Sequence, residues 1–275
     1  MALGLAEYKK RKAEEEARRE AASKPRLQRF ALKKDGDSAV VRFAQEIDFD
    51  AKNFNEDRGI GFVNIEHTSG ADPKNGWKNR ANCTMESQGA CFPCEKVQDA
   101  SIEWANRKGW KQKEKFYINV IGGDVIEETY TKPNGEEGTR YFTGNIDRDT
   151  GDGTVYLLEQ GTYNGIYDDL ADYFLEEDLS GGTITDKYFK ITRKGSQYND
   201  TSYSVLALKE IPKDAKSLDD FELYNIKEDV MEEVAYPQQE AFYYKGLSVS
   251  SPVESAPAAA APASAGTATG SDEVW

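Results

Sequence analysis

Four residues with the chemistry of metal ligands lie close together in the sequence. His67 is the only histidine of the chain, and Cys83, Cys91 and Cys94 are its only cysteines. Three thiolates and one imidazole, spaced His-x15-Cys-x7-Cys-x2-Cys, make the complete tetrahedral shell of a structural zinc site. A filled shell leaves no position for a reacting water. The sequence therefore predicts one structural Zn²⁺ that holds a subdomain together at about residues 62–95.

Other interpretations of these residues remain open. The cysteines could be buried and unrelated to the histidine, or Cys91 and Cys94 could form a redox pair, although no βαβ pattern surrounds them. A deaminase-type catalytic zinc is excluded, because that chemistry requires His-x-Glu and Ser69 stands at the position of the glutamate. The chain also lacks a nucleophile elbow and a phosphate-binding glycine loop, so we expect a protein that is not an enzyme.

Lysine and arginine alternate with aromatic residues in several predicted strands. In the segment 113–121, Lys113, Lys115 and Tyr117 share one face. Cations that follow phosphates, together with rings that stack on unpaired bases, are what sequence-tolerant binding of a single strand requires. The alternative is the ordinary exterior of half-buried strands. The predicted DNA-binding residues are Arg42, Trp77, Lys78, Arg80, Trp110, Lys111, Lys113, Lys115, Tyr117, Arg140, Tyr141, Tyr188, Lys190, Arg193, Lys194, Tyr198 and Tyr203.

The elements that would carry these residues are mostly short strands. Alternating apolar residues predict strands that begin near Ala39 and at 113–121, and turn signals beside them predict strands at 139–146, 154–161, 187–194 and 201–209. Helices are predicted at 95–108 and at 162–177, where apolar residues recur at helical spacing. We expect a mainly β fold with some α: an OB-fold, that is a five-stranded Greek-key barrel, with the zinc subdomain inserted. An SH3-like barrel and a small sandwich are the alternatives.

The composition changes at both ends of the chain. Residues 1–24 form a charged segment with seven Lys/Arg and five Glu, and the core is expected at 25–210. Residues 211–247 predict an acidic helical segment, and residues 248–275, rich in Ala, Pro and Ser, predict a disordered, flexible tail. The tail ends in Asp272, Glu273, Val274 and Trp275, which suit a partner with a basic, apolar pocket.

The net charge of −14 is unusual for a protein that binds DNA. DNA binding therefore requires the basic residues to cluster on one face. The sequence has no apolar run long enough to cross a bilayer and no secretory signal, and three cysteines suit a reducing compartment. We expect a cytoplasmic protein.

Together, these features resemble the zinc-containing single-stranded DNA-binding, helix-destabilising proteins of tailed bacteriophages. The likeness rests first on the His67…Cys83…Cys91-Phe-Pro-Cys94 loop, placed after a strand that ends in Val41-Arg42-Phe43. It continues with a lysine-rich strand that runs into Phe116-Tyr117-Ile118-Asn119-Val120 and with a final hairpin from Tyr188 to Lys209. It spans residues 25–235 in the order of elements.

The resemblance implies an OB-fold core with an inserted zinc subdomain that coats and protects unpaired strands during replication, recombination and repair. It also implies contacts between protomers of a cooperative filament through Lys9, Lys10, Arg11 and Lys12, recruitment of replication and recombination proteins by the tail, and action in the cytoplasm of a host cell. An alternative function also stays open: the chain is a zinc-stabilised protein–protein adaptor of a replication or transcription complex. The choice between RNA and DNA also stays open.

Overall fold

The computed structural model describes residues 9, 10, 12, 27–72, 75–132, 134–163, 165–196 and 200–245. Lys9, Lys10 and Lys12 are helical and exposed. The predictions made for Arg11, Tyr198, the other residues of 1–24, and the tail at 248–275 with Asp272, Glu273, Val274 and Trp275 lie outside the described residues.

One antiparallel sheet is built around a long central strand. Its strands are β1 (Ser38–Phe43), β2 (Phe62–Thr68), β3 (Arg80–Asn82), β4 (Lys113–Thr131), β5 (Glu137–Gly144), β6 (Thr154–Gly161), β7 (Lys187–Lys194) and β8 (Ser202–Glu210). They follow the order β3-β2-β4-β1-β7-β8, with β5 and β6 also paired to β4. Within the described part of the chain no ladder joins β8 to β6 or to β3, so the sheet is open. The mainly β, antiparallel prediction is confirmed, whereas a closed OB barrel is not.

The helices are short and lie mainly in the connections. They are α1 (Met85–Gln88), α2 (Phe92–Gln98), α3 (Trp104–Lys108), α4 (Ile166–Leu175), α5 (Glu177–Ser180), α6 (Ile226–Asp229) and α7 (Tyr236–Tyr244), with 3-10 turns at Gly76–Lys78 and Leu218–Asp220. The predicted helix at 95–108 is divided between α2 and α3. The Asp99 carboxylate accepts hydrogen bonds from the Ser101 backbone (2.9 Å) and hydroxyl (2.6 Å), and this turn ends the first helix.

The segment at 211–231 contains little helix, so its prediction as an acidic helix is wrong there. It lies across the sheet instead: Phe221 and Leu223 pack in an apolar cluster around Ile121. The Tyr224 backbone N–H donates to the Asn119 side chain (3.1 Å), and the Asn119 amide donates back to the Tyr224 carbonyl (3.0 Å). Burial of its apolar residues outweighs the helical preference of its glutamates.

The main core lies between the sheet and α4. Ile166 and Leu170 of α4 are buried against Phe116 and Ile118 of β4 and Phe189 of β7. This is the apolar stripe that the helical spacing predicts for 162–177. Among the helices that the structure describes, none is long and apolar enough to cross a membrane.

Candidate metal centre and adjacent surface

The four predicted ligands are carried by a hairpin and by the first turn of a helix. His67 lies in β2, opposite Ala81 of β3, and Cys83 directly follows β3. The Cys83 backbone N–H donates to the Ile65 carbonyl (2.9 Å), which fixes the thiol beside the hairpin. Cys91 caps α2 and Cys94 lies in its first turn, where Pro93 is tolerated because no intrahelical partner is needed there.

The ligand atoms converge with the dimensions of a tetrahedral ion. All four lie within 4.8 Å of one another. The Cys83 sulfur is 3.8 Å from that of Cys91 and 3.7 Å from that of Cys94, and the Cys94 sulfur is 3.4 Å from His67 Nε2. Bonds of about 2.3 Å to sulfur and about 2.0 Å to nitrogen give tetrahedral edges of about 3.8 and 3.5 Å. A disulfide would need about 2.05 Å. These residues could therefore hold a metal ion.

Neighbouring groups orient the donor atoms. His67 Nδ1–H donates to the Trp110 carbonyl (2.7 Å), which leaves Nε2 free to bind. The Gln112 amide donates to the sulfurs of Cys83 (3.4 Å) and Cys94 (3.6 Å). Burial, and then the neighbouring Cys91, raise the pKa of the Cys94 thiol to about 12, so a bound cation has to displace a proton there.

A helix from the far end of the described chain closes over the metal loop. The side chain of Gln239 in α7 accepts a hydrogen bond from the Phe92 N–H (2.8 Å) and donates to the Thr84 hydroxyl (2.7 Å). Tyr243 stacks on Phe92 and meets Trp110 edge to face. Thus β2, β3, α1–α3 and α7 form one unit, called the metal subdomain here.

Three of the predicted DNA-binding rings are inaccessible. Trp110, Tyr117 and Tyr188 are 3%, 1% and 2% exposed. Trp110 packs in the metal subdomain, the Tyr117 hydroxyl donates to Glu66 (2.8 Å), and the Tyr188 hydroxyl donates to the Arg148 carbonyl (3.2 Å). The prediction that these rings stack on bases is wrong, because all three rings are buried in the protein interior.

Other predicted residues support the fold or lie away from the metal subdomain. Arg42 donates to the Lys216 carbonyl (2.9 Å), and Arg193 donates to the Leu32 carbonyl (3.0 Å). Arg140 is paired with Glu128, while Tyr203 is half-buried against the core. The exposed residues Tyr141, Lys190 and Lys194 lie on β5 and β7, and β4 and β1 separate β7 from β2.

The remaining predicted residues, Trp77, Lys78, Lys111 and Lys113, lie in the metal subdomain or next to it in the chain. Trp77 is 67% exposed, with Lys78 Nζ at 5.8 Å from its ring centre. Lys111 Nζ lies 4.6 Å from the ring centre of Trp104, which is also exposed, and the Arg107 guanidinium lies at 5.5 Å. The Ser69–Gly70 segment contacts the chain neighbours of both groups: the Ser69 N–H donates to the carbonyl of Gly76, which precedes Trp77, and Gly70 lies against Trp110, which precedes Lys111. We define the open edge as Trp77, Lys78, Trp104, Arg107, Lys111 and Lys113.

Trp104 and Arg107 were missed by the sequence analysis. A tryptophan with cations three and seven positions later is the signal that could have found them, because helical spacing places the first pair on one face. Residues 104–115 carry five Lys/Arg and one Glu, so this region is basic although the chain is acidic. Arg80 and Lys115, also predicted, lie next to the open edge but are paired with Glu66 and Glu159.

Comparison with known proteins gives no assignment. No protein-family model matches this chain, and no curated protein matches it significantly. Inference about function therefore rests on the chemistry of the site.

Proposed function

We propose that this chain is a single-stranded DNA-binding protein that holds unpaired strands on the open edge. The observation that carries the proposal is the exposed Trp104 ring with Arg107 and Lys111 beside it, together with the exposed Trp77 ring and its neighbour Lys78. A base stacked on such a ring contributes about 1–3 kcal/mol, and each phosphate contact adds a salt-dependent part. Residues 104–115 carry an excess of cations, so the net charge of −14 does not argue against strand binding at this surface.

The proposed metal is one structural zinc ion, held by His67, Cys83, Cys91 and Cys94. Its support is the donor set, since three thiolates and an imidazole at tetrahedral spacing are typical of zinc. When bound, zinc supplies folding energy and no reaction step. The chain's own residues orient the site. Trp110 and Gln112 hold the ligands in place, and β4, which begins directly after Gln112, positions Lys113.

The wider role follows the resemblance to phage helix-destabilising proteins. We propose an OB-type core that coats strands in replication, recombination and repair in the host cytoplasm, with no catalytic activity. The antiparallel sheet, and helix α4 between β6 and β7, support an OB-type origin for the open sheet. Self-association through Lys9, Lys10, Arg11 and Lys12, and partner binding through the tail, belong to the same proposal.

The test is tryptophan fluorescence of the full chain with oligo-dT and with duplex DNA across a salt series. We expect quenching by oligo-dT, an affinity that falls steeply as salt rises, and much weaker binding of the duplex. Absence of salt-dependent binding to oligo-dT would refute the proposal.

One feature favours the adaptor as a second candidate. The Phe49 ring is 68% exposed, meets Phe54 edge to face (5.4 Å), and lines a groove with Ile226. Exposed rings in an apolar groove suit a peptide partner. If oligo-dT does not bind while the metal centre is loaded, this groove becomes the main candidate site, and Phe49→Ala should then abolish partner binding.

A further inference from the structure

Three cations converge on a single carboxylate next to the open edge. Arg29, Arg80 and Lys115 all contact the Glu159 carboxylate; the Lys115 nitrogen lies 2.5 Å from it. The Glu159 side chain is 12% exposed, whereas that of Arg29 is 48% exposed. We call Arg29, Arg80 and Lys115 the cation cluster. It is reachable from solvent on the Arg29 side.

A second carboxylate, Glu66, plays a different part. It is 2% exposed and accepts a hydrogen bond from the buried Tyr117 hydroxyl (2.8 Å). Lys115 lies 3.2 Å from it and Arg80 lies 3.5 Å from it. Glu66 is therefore part of the sheet interior and neutralises one of the three cations. Glu159, at the end of β6, is the carboxylate that opposes the remaining two.

The cation cluster continues the open edge. Lys115 lies two residues from Lys113 on the same face of β4, and Arg80 follows Lys78 by two residues. Burial lowers the pKa of Lys115, so this ammonium group needs an anion beside it. A strand that crosses the open edge would bring its next phosphate towards these three donors.

We propose that the cation cluster is a phosphate-binding site for the bound strand, and that Glu159 competes with the phosphate for it in the free protein. This rests on the proposed function. Arginine guanidinium groups bind carboxylate and phosphate through the same paired N–H donors, so one anion can replace the other. Because the strand must displace Glu159, the carboxylate lowers the affinity of the site.

The test compares the full-length wild type, Glu159→Gln and Glu128→Gln for oligo-dT binding across a salt series. Glu128 is the matched control: it is also paired with two cations, Lys34 and Arg140, but on the far part of β4. We expect Glu159→Gln to bind on the order of five- to tenfold more tightly, with a salt slope close to that of the wild type, because the same phosphate contacts form in both complexes. Glu128→Gln should stay within about twofold of the wild type.

A second variant, Arg29→Gln, keeps the test decisive if Glu159→Gln does not fold. Because Arg29 is half exposed, its loss should leave the fold intact while lowering affinity and salt slope. If the wild type binds oligo-dT but Arg29→Gln binds equally well, or a folded Glu159→Gln binds no better than the wild type, Glu159 is only structural and the inference is wrong. If the wild type itself does not bind, the proposed function fails instead.

Discussion

The metal centre and the open edge are neighbours in one subdomain, but they are built in opposite ways. At the metal centre, His67 and Cys91 are fully buried, and His67 has a second partner in the Trp110 carbonyl. At the open edge, the rings of Trp77 and Trp104 are more than half exposed, and the cations beside them contact the rings. The buried metal centre fixes the positions of its residues, whereas the tryptophan rings of the open edge are exposed and can contact a ligand.

The two regions are joined through one short segment. Trp110 binds His67 through its carbonyl and packs its ring in the metal subdomain, and the next residue, Lys111, lies against Trp104. Damage to the metal centre should therefore disturb the open edge. Damage to the open edge should leave the metal centre intact, and this asymmetry can be tested.

Loss of the metal should have the largest effect. Chelation, or Cys91→Ser, removes folding energy on the order of 10 kcal/mol. We expect hydrogen exchange to become fast in β2, β3, α2 and α7, while β7 in the main core stays protected. The native protein should contain one zinc per chain. Unchanged protection of these elements after the metal has been removed would show that the four ligands are not a structural centre.

Truncation of the buried tryptophan should come next. Trp110→Ala leaves a cavity between Phe92 and Tyr243 and should lower the free energy of unfolding by about 3–5 kcal/mol. Denaturant titration measures this loss. A variant as stable as the wild type would mean that Trp110 is not packed as described.

Truncation of the exposed tryptophan should change binding and not stability. Trp104→Ala should weaken oligo-dT binding by about 1–3 kcal/mol, since one stacking ring is lost. Its unfolding free energy should stay within about 0.5 kcal/mol of the wild type. Tyr141→Ala, which removes an equally exposed ring from β5, is the control and should bind normally. Equal losses of oligo-dT affinity in both variants would show that the strand does not bind specifically at the open edge.

The smallest effect is expected at Tyr188. Tyr188→Phe removes only the hydrogen bond to the Arg148 carbonyl and should lower the free energy of unfolding by about 0.5–1.5 kcal/mol. Oligo-dT affinity should not change, because the ring is buried. A clear loss of affinity with normal stability would restore Tyr188 to the binding surface.

The metal ligands could be predicted because the residue types are rare and lie in one window. Their convergence needs only a hairpin and a helix start, which are local features. Strands at 154–161 and 187–194 were also predicted with correct bounds, since a turn-rich segment adjoins each of them. β2 was missed because Glu66, His67 and Thr68 are consecutive polar residues that are all buried, which removes the alternation.

The binding surface was harder to predict because distant segments decide which faces are covered. The face of Tyr117 is covered by Ile226, and that of Tyr188 by Leu218, each far away in the sequence. Alternation along β4 or β7 contains no information about that cover. The pairing of Arg80 and Lys115 with Glu159 likewise joins three strands and has no local signal.

The most direct test of the account uses a chain whose only tryptophan is Trp104, with Trp77, Trp110 and Trp275 changed to Phe. We expect oligo-dT to quench its fluorescence at low salt and high salt to reverse the quenching, because a base stacks on this ring. Oligo-dT that binds this chain and leaves the Trp104 signal unchanged would contradict the open edge as the site of strand binding.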